Sequence, residues 1–322
     1  MSKTGRRGDA TGPCLAGPRL SRQAAARCRP ATAAALLLLA LGCGNEATRT
    51  PQTSQPPARI VSMAPSATEI LFALGLGVRV LGVTRYCDYP PEVKQKRSVG
   101  GFLDPNYEVI VALEPDLVVL VTAHREVKAQ LERLGLETLT VKHDLLADVP
   151  EAIRVLGERC GAEERARELI TDLERRIDAV RRAAADLPRP RVLMCVGRDV
   201  GAAAFDGVYI AGRHNFQDEI IELAGGVNAV AEGGMAYPVV SLEGLVRLRP
   251  EVIVEVVAEL PAGTTRDEVA AQWRRLGDVP AVTSGRIHVV VGGHALRPGP
   301  RLIDLAEELL RLLHPEAAEG AR

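Results

Sequence analysis

The sequence predicts an α/β protein of two Rossmann-like parallel-sheet lobes joined by a single long α-helix. Three observations carry this reading. Strands rich in Val, Ile and Leu alternate with amphipathic helices in both halves of the chain, the pattern of a parallel sheet covered on both faces. One phrase is written twice, as "NYEVIVALEPDLVVLV" from Asn106 and as "SLEGLVRLRPEVIVEV" from Ser241. Between the copies runs "EERARELITDLERRIDAVRRAAADL", an uninterrupted helical pattern from Glu163 to Leu187.

In the first half, "RIVSMA" reads as a strand. "SATEILFALG" reads as a helix that Ser66 or Thr68 can cap and Gly75 ends. "VRVLGVT" is the next strand, and Pro90 and Pro91 keep "YCDYPPE" irregular. A short helix at Glu108–Leu113 then precedes the strand "LVVLVTA", the helix "REVKAQLERLG", the strand "ETLTVK" and the helix "DVPEAIRVLGERCG". The second half reads "RVLMCVG" (strand), "FQDEIIELAGG" and "SLEGLVRL" (helices), "EVIVEVV" (strand), "RDEVAAQWRRLG" (helix), "RIHVVVGG" (strand) and "PRLIDLAEELLRLL" (helix). The repeat extends to Glu69-Ile70 with Leu74-Gly75 against Glu219-Ile220 with Ala224-Gly225.

In the connecting segment, Ala166, Leu169, Leu173, Ile177, Val180 and Ala184 recur at three- and four-residue steps on one face. A helix there would be about 36 Å long and would hold the lobes against wide hinge motion. The expected organisation is an N-terminal lobe at 59–161, a bridging helix at 162–188 and a C-terminal lobe at 189–316. A tail at 317–322 follows.

The N-terminus reads as a targeting segment. Residues 1–42 hold seven Lys/Arg against one Asp, and they end in the apolar run "ATAAALLLLALG", which suits a signal-peptide core better than a membrane span. The junction Ala40-Leu41-Gly42-Cys43 resembles a lipobox, with Ala40 where Leu is usual, and makes Cys43 the expected lipidated residue. A polar, Pro-containing tether would occupy 43–58. The rest of the chain is acidic, which argues against nucleic-acid binding. Of the cysteines expected in the mature chain, Cys87, Cys160 and Cys195, a Cys87–Cys160 disulfide and buried free thiols are both compatible with the sequence.

In order and spacing, "RIVSMAPSATEILFALG", "GVTRYCDYPPE", "LEPDLVV", "YIAGRHNFQDEIIELAGGVN", "SLEGLVRLRPEVIV" and "RPGPRLIDLAEELLRLLHP" resemble the substrate-binding proteins of ABC importers for cobalamin, ferric siderophores and haem. The resemblance covers about residues 58–314. It implies an extracytoplasmic, membrane-anchored monomer that holds a metal-chelate ligand between its lobes, without a resident cofactor. It would deliver that ligand to a permease dimer with its ATPase subunits. It also implies that Glu108 and Glu243 dock arginines of the permease, although both are also acids that the dipole of a first helical turn favours.

A cleft built by loops at the carboxyl ends of the strands would draw on Ser66, Tyr86, Phe102, Phe205, Tyr209, Tyr237 and Arg297. Aromatics make up only 3% of the chain, so their placement in these loops suits stacking on a flat macrocycle. Tyr86, Phe102, Tyr237 and Arg297 match the family's cobalamin positions, while Phe205 and Tyr209 read equally well as packing residues. Arg301 reads as a structural ion-pair partner and Trp273 as lobe core. "RYCDYPP" and "RPGPR" favour the cobalamin branch.

Other ligands and functions remain open. A haem carrier would use Tyr86, Tyr209 or His214 as axial ligand. A ferric-siderophore carrier would use Arg85, Arg198, Arg213 and Arg297. A zinc or manganese receptor would need three His and a carboxylate in the cleft, with His124 and His143 the candidates that follow strands. An enzyme is disfavoured, because the chain has no phosphate-binding loop, dinucleotide fingerprint or nucleophile elbow.

Overall fold

The computed structural model describes residues 55–200, 207–231 and 233–316. Cys43, Phe205, the expected signal segment, most of the tether and the tail at 317–322 lie outside the described residues.

The first sheet contains β1 (Ile60–Ser62), β2 (Val80–Val83), β3 (Arg97–Ser98), β4 (Leu117–Val121) and β5 (Thr138–Val141). They lie in the order β3-β2-β1-β4-β5 with every pairing parallel. The helices of this half are α1 (Pro65–Ala73), α2 (Tyr107–Ala112), α3 (Arg125–Arg133) and α4 (Asp148–Cys160). The second sheet contains β6 (Arg191–Gly197), β7 (Val208–Ile210), β8 (Val227–Asn228), β9 (Val239–Val240), β10 (Val252–Val257) and β11 (Ile287–Val291). Its helices are α6 (Phe216–Leu223), α7 (Leu242–Leu248), α8 (Arg266–Gln272), α9 (Pro280–Thr283) and α10 (Leu302–Leu313).

The second sheet departs from the expected all-parallel plan. β6, β10, β11 and β8 are parallel to one another where they pair, but β7 and β9 are added antiparallel beyond β6. These strands have two or three residues each, too few to show an alternation in the sequence.

The bridging helix α5 runs from Glu163 to Ala184, 22 residues, or about 33 Å. Acids open it (Glu163, Glu164) and arginines close it (Arg181, Arg182), the arrangement that the helix dipole favours. Ala166, Leu173, Ile177, Val180 and Ala184 form its buried stripe. α5 packs on α4 of the first lobe and on α6 and α10 of the second. Its approach to α4 is close: a Cβ on Gly157 would fall 2.5 Å from the Ala166 Cβ. Towards the second lobe, Arg176 reaches Asp304 at 2.6 Å and Glu307 at 2.8 Å on α10.

One buried apolar cluster runs without interruption from the inner side of the first sheet, through α1, α4 and α5, to α6, α10 and the second sheet. The outer face of each sheet has its own smaller cluster, one around Met63 and Leu120, the other around Leu193 and Trp273. Cys87, Cys160 and Cys195 are buried free thiols. Cys87 Sγ lies 3.2 Å from both Thr68 Oγ1 and Thr84 Oγ1.

The duplicated phrase builds the same junction twice. Asn106 caps α2 through its side chain, as Ser241 caps α7. Glu114 and Arg249, each just before a proline, are both left-handed, with φ of 43° and 42°. The acid after each proline ties down the start of a central strand: Asp116 Oδ2 accepts from the Arg59 amide at 2.9 Å, and Glu251 Oε2 from the Arg191 amide at 2.7 Å. Gly75 and Gly225 likewise close α1 and α6 with φ of 78° and 80°, a conformation that costs glycine little.

Candidate functional site

At the junction of the lobes lies a cavity of about 460 Å3, open to solvent. The first lobe contributes the start of α1 (Pro65, Ser66), the loops after β2 and β3 (Tyr86, Phe102) and the loop after β5 (His143, Asp144). The second contributes the turn into α6, the segment before β9 (Ala236, Tyr237) and the loop after β11 (Leu296, Arg297, Pro298). Five of the seven residues expected at the cleft therefore line it: Ser66, Tyr86, Phe102, Tyr237 and Arg297.

Two expected ligand residues are not among them. Phe205 lies outside the described residues. Tyr209 sits in β7 between the buried Val208 and Ile210, so strand alternation turns it to the exposed face, opposite Gly197. Ser66 lines the cavity but caps nothing. Ala64 is the N-cap of α1 and Pro65 opens the helix, while Thr68 Oγ1 binds back to Ser62 Oγ at 2.8 Å and the Ala64 carbonyl at 3.0 Å.

The turn into α6 supplies lining that the sequence reading missed: Asn215, Phe216 and Gln217. Asn215 caps α6 and donates from Nδ2 to the Ala236 carbonyl at 2.6 Å. Gln217 Oε1 accepts from the Tyr237 hydroxyl at 2.9 Å. Burial, reinforced by the Asp144 charge, pushes the Tyr237 phenol up to about 12 despite that bond, so Tyr237 is a neutral donor and stacking surface. The signal was available, because the offset that aligns Glu69 with Glu219 also aligns Pro65 and Ser66 with Asn215 and Phe216.

Arg297 lines the cavity and also bridges the two lobes. Its guanidinium forms a two-pronged pair with Asp88 of the first lobe, Nη2 to Oδ2 at 3.0 Å and Nη1 to Oδ1. Burial opposes the Asp88 charge, but the hydrogen bond and charge of Arg297 outweigh it and hold the carboxyl below its ordinary value. Beside it, Arg301 pairs with the buried Glu69 at 2.6 and 3.0 Å, its guanidinium carbon 3.5 Å from the centre of the Tyr89 ring. From the other side, Glu219 of α6 accepts from the Leu146 amide at 2.5 Å. The repeated glutamates Glu69 and Glu219 thus each reach across to the opposite lobe.

The histidines are dispersed. His143 and His214 line the cavity. His124 is buried against Phe102 with ring centres 4.3 Å apart, and its Nδ1 accepts from the Val121 amide; burial pushes it down to about 4. Among the described residues no group of three or more His, Cys, Asp or Glu could hold a metal ion. Each of the four arginines considered for an anionic chelate meets a carboxylate: Arg85 with Asp104, Arg198 with Glu255, Arg213 with Asp218 and Arg297 with Asp88. Glu108 and Glu243 occupy the same place in the first turns of α2 and α7, and both are exposed. No helix of the described residues is long and apolar enough to cross a membrane.

Comparison with known proteins agrees with this architecture. The family model described as "Periplasmic binding protein" matches residues 60–290. An ABC transporter substrate-binding lipoprotein of Bacillus subtilis, YvrC, is 31% identical over 272 residues, covering 81% of each chain. A vitamin B12-binding protein of Pectobacterium atrosepticum is 29% identical over 266 residues, covering 79% of this chain and 87% of its own. The periplasmic haem-binding protein RhuT from Roseiflexus, solved in apo form, superposes with a TM-score of 0.69 at 28% identity, covering 80% of this chain and 98% of its own. The chain belongs to the periplasmic binding protein family, among the substrate-binding proteins of ABC transporters.

Proposed function

We propose that this chain captures cobalamin or another corrinoid in the cleft between its lobes and delivers it to a membrane permease. The observation that carries the reading is the convergence of Tyr86 and Phe102 from one lobe with Phe216, Tyr237 and Arg297 from the other on a single open cavity. Aromatic faces with few polar groups suit a flat macrocycle. A cavity of about 460 Å3 would seat part of such a ligand and leave the remainder in the open mouth. The similarity to a vitamin B12-binding protein supports the same choice. Isothermal calorimetry with cyanocobalamin tests it: one-to-one binding at micromolar or tighter concentration is expected, and heats no larger than those of dilution would reject it.

A haem carrier is the second reading, favoured by Tyr86, His143 and His214 in the lining and by the similarity to a haem-binding protein. The ferric-siderophore reading is weaker, because the arginines it would use already meet carboxylates.

Glu108 and Glu243 are the proposed docking points for a two-fold permease dimer and its ATPase subunits. The repeated cap, left-handed residue and post-proline acid all serve their own lobe. The two glutamates form no hydrogen bond or ion pair among the described residues, so the helix dipole is their one local role, and it asks only for some acid in that turn. Exposed pairs contribute about 0–1 kcal/mol each, enough to set register and encounter rate. Lipidation at Cys43 would tether the chain to the extracytoplasmic membrane surface, as the similarity to a lipoprotein supports. Cys43→Ser is expected to move the protein into the soluble fraction; unchanged membrane fractionation would reject the anchor.

A further inference from the structure

The corrinoid reading leaves one group of the cleft without a task. His143 lines the cavity from the loop after β5. Its Nδ1 lies 3.2 Å from Thr122 Oγ1, and that hydroxyl donates to Asp144 Oδ2 at 3.1 Å. A hydroxyl has one proton. Because the Thr122 proton goes to the carboxylate, the stronger acceptor, Thr122 can only accept from His143. The proton of the ring is therefore on Nδ1, and Nε2 carries a free lone pair. Among the described residues Nε2 has no hydrogen-bond partner, although the ring is largely buried, with 20% of its side chain exposed. An imidazole oriented through one nitrogen by a hydroxyl–carboxylate pair, with the other nitrogen open, has the outer-shell arrangement of a metal ligand.

The other histidines lack this arrangement. His124 uses Nδ1 as an acceptor for a backbone amide and does not line the cavity. His214 lines it, but its ring has no hydrogen bond among the described residues to fix a tautomer.

We propose that His143 Nε2 coordinates the metal of the cargo, taking the exchangeable axial position of a cobalt corrinoid. The inference rests on the corrinoid reading. Water leaves the cobalt, the imidazole lone pair takes its place, and no electron moves, so the metal keeps its oxidation state. Thr122 and Asp144 act as positioning residues that hold the ring and its tautomer. The cleft then distinguishes corrinoids by their axial ligand as well as by the macrocycle.

Two probes separate the claims. Aquocobalamin carries an exchangeable water, and cyanocobalamin carries a cyanide that imidazole does not displace. With the full chain, bound aquocobalamin is expected to show its visible bands moved to longer wavelength and to bind about tenfold or more tightly than cyanocobalamin. His143→Ala is expected to abolish the spectral change and the preference. Thr122→Val, which keeps the imidazole, should reduce the preference by about tenfold and covers the case in which the alanine variant does not fold. An unchanged aquocobalamin spectrum with intact cyanocobalamin binding would overturn the His143 assignment and leave the corrinoid reading standing, as would a spectral change that persists in His143→Ala. Absence of binding by either probe would remove both.

Discussion

Leu120 in β4 and Glu255 in β10 occupy the same place in the repeat, in strands that run beside β1 and β6 in the same register. In the first lobe the position is a fully buried leucine in the outer apolar cluster. In the second it is a carboxylate 1% exposed, 2.8 Å from Arg198 and accepting from the Trp273 indole at 2.6 Å. One lobe fills its outer layer with apolar contact, and the other organises it around an ion pair at the end of β6. Equivalent backbone positions therefore tolerate opposite chemistries when the neighbours change together: Trp273 and Gln272 supply donor and acceptor around the pair.

The largest expected effect comes from breaking that pair. Arg198→Met leaves the Glu255 carboxylate buried with a neutral indole donor and should cost about 3–5 kcal/mol, read as a lowered midpoint in urea. Pairing it with Glu255→Leu, the residue type of the first lobe, should recover most of the loss. Leu120→Ala in the first lobe is a pure cavity substitution at about 2–5 kcal/mol with no partner that restores it. Recovery failing in the Arg198→Met, Glu255→Leu double variant would mean that the pair has a role beyond packing.

Next in size is the docking symmetry. Removing both Glu108 and Glu243 as alanines should slow uptake by about tenfold, from two exposed pairs of about 0–1 kcal/mol each, with ligand affinity intact. Each single variant should contribute a similar share. Loss confined to one of them would break the equivalence of the lobes at the permease.

The smallest effect concerns the contacts across the cleft. Asp88 has a folded value below its ordinary 3.8. Its contribution is therefore fully present above that value and is lost as pH falls through the depressed one. Melting curves of the wild type and Asp88→Asn should differ at pH 7 and draw together as the pH falls below 3.8 through the depressed value. A difference that persists in acid would show that the Arg297–Asp88 contact is not its source.

Most of the architecture was legible because it rests on periodicity. α5, β4, β10 and α10 are long or continuously apolar, and their boundaries fall within a few residues of the pattern. The short strands β3, β7, β8 and β9 were not legible, since pairs and triplets of residues carry no alternation and form only when a neighbouring edge is already in place. In the site, the aromatics stood out because they are scarce, and the strand-end rule brought Tyr86, Phe102 and Tyr237 to the cavity. Asn215, Phe216 and Gln217 were missed because they read as the entry to a helix, and a helix entry is also a cleft wall here. The double life of Arg297 was not legible either. Its partner Asp88 lies 209 residues away in the chain, and only the fold brings them together.

The central claim is that the two lobes close on one flat, metal-centred guest. Calorimetric titration of the full chain with cyanocobalamin, beside Tyr86→Ala and Tyr237→Ala variants, addresses it from both sides of the cleft. The account predicts saturable one-to-one binding weakened about tenfold or more by either substitution, at roughly 1–3 kcal/mol for a buried aromatic contact. Binding that ignores both tyrosines, or no binding at all, would contradict it.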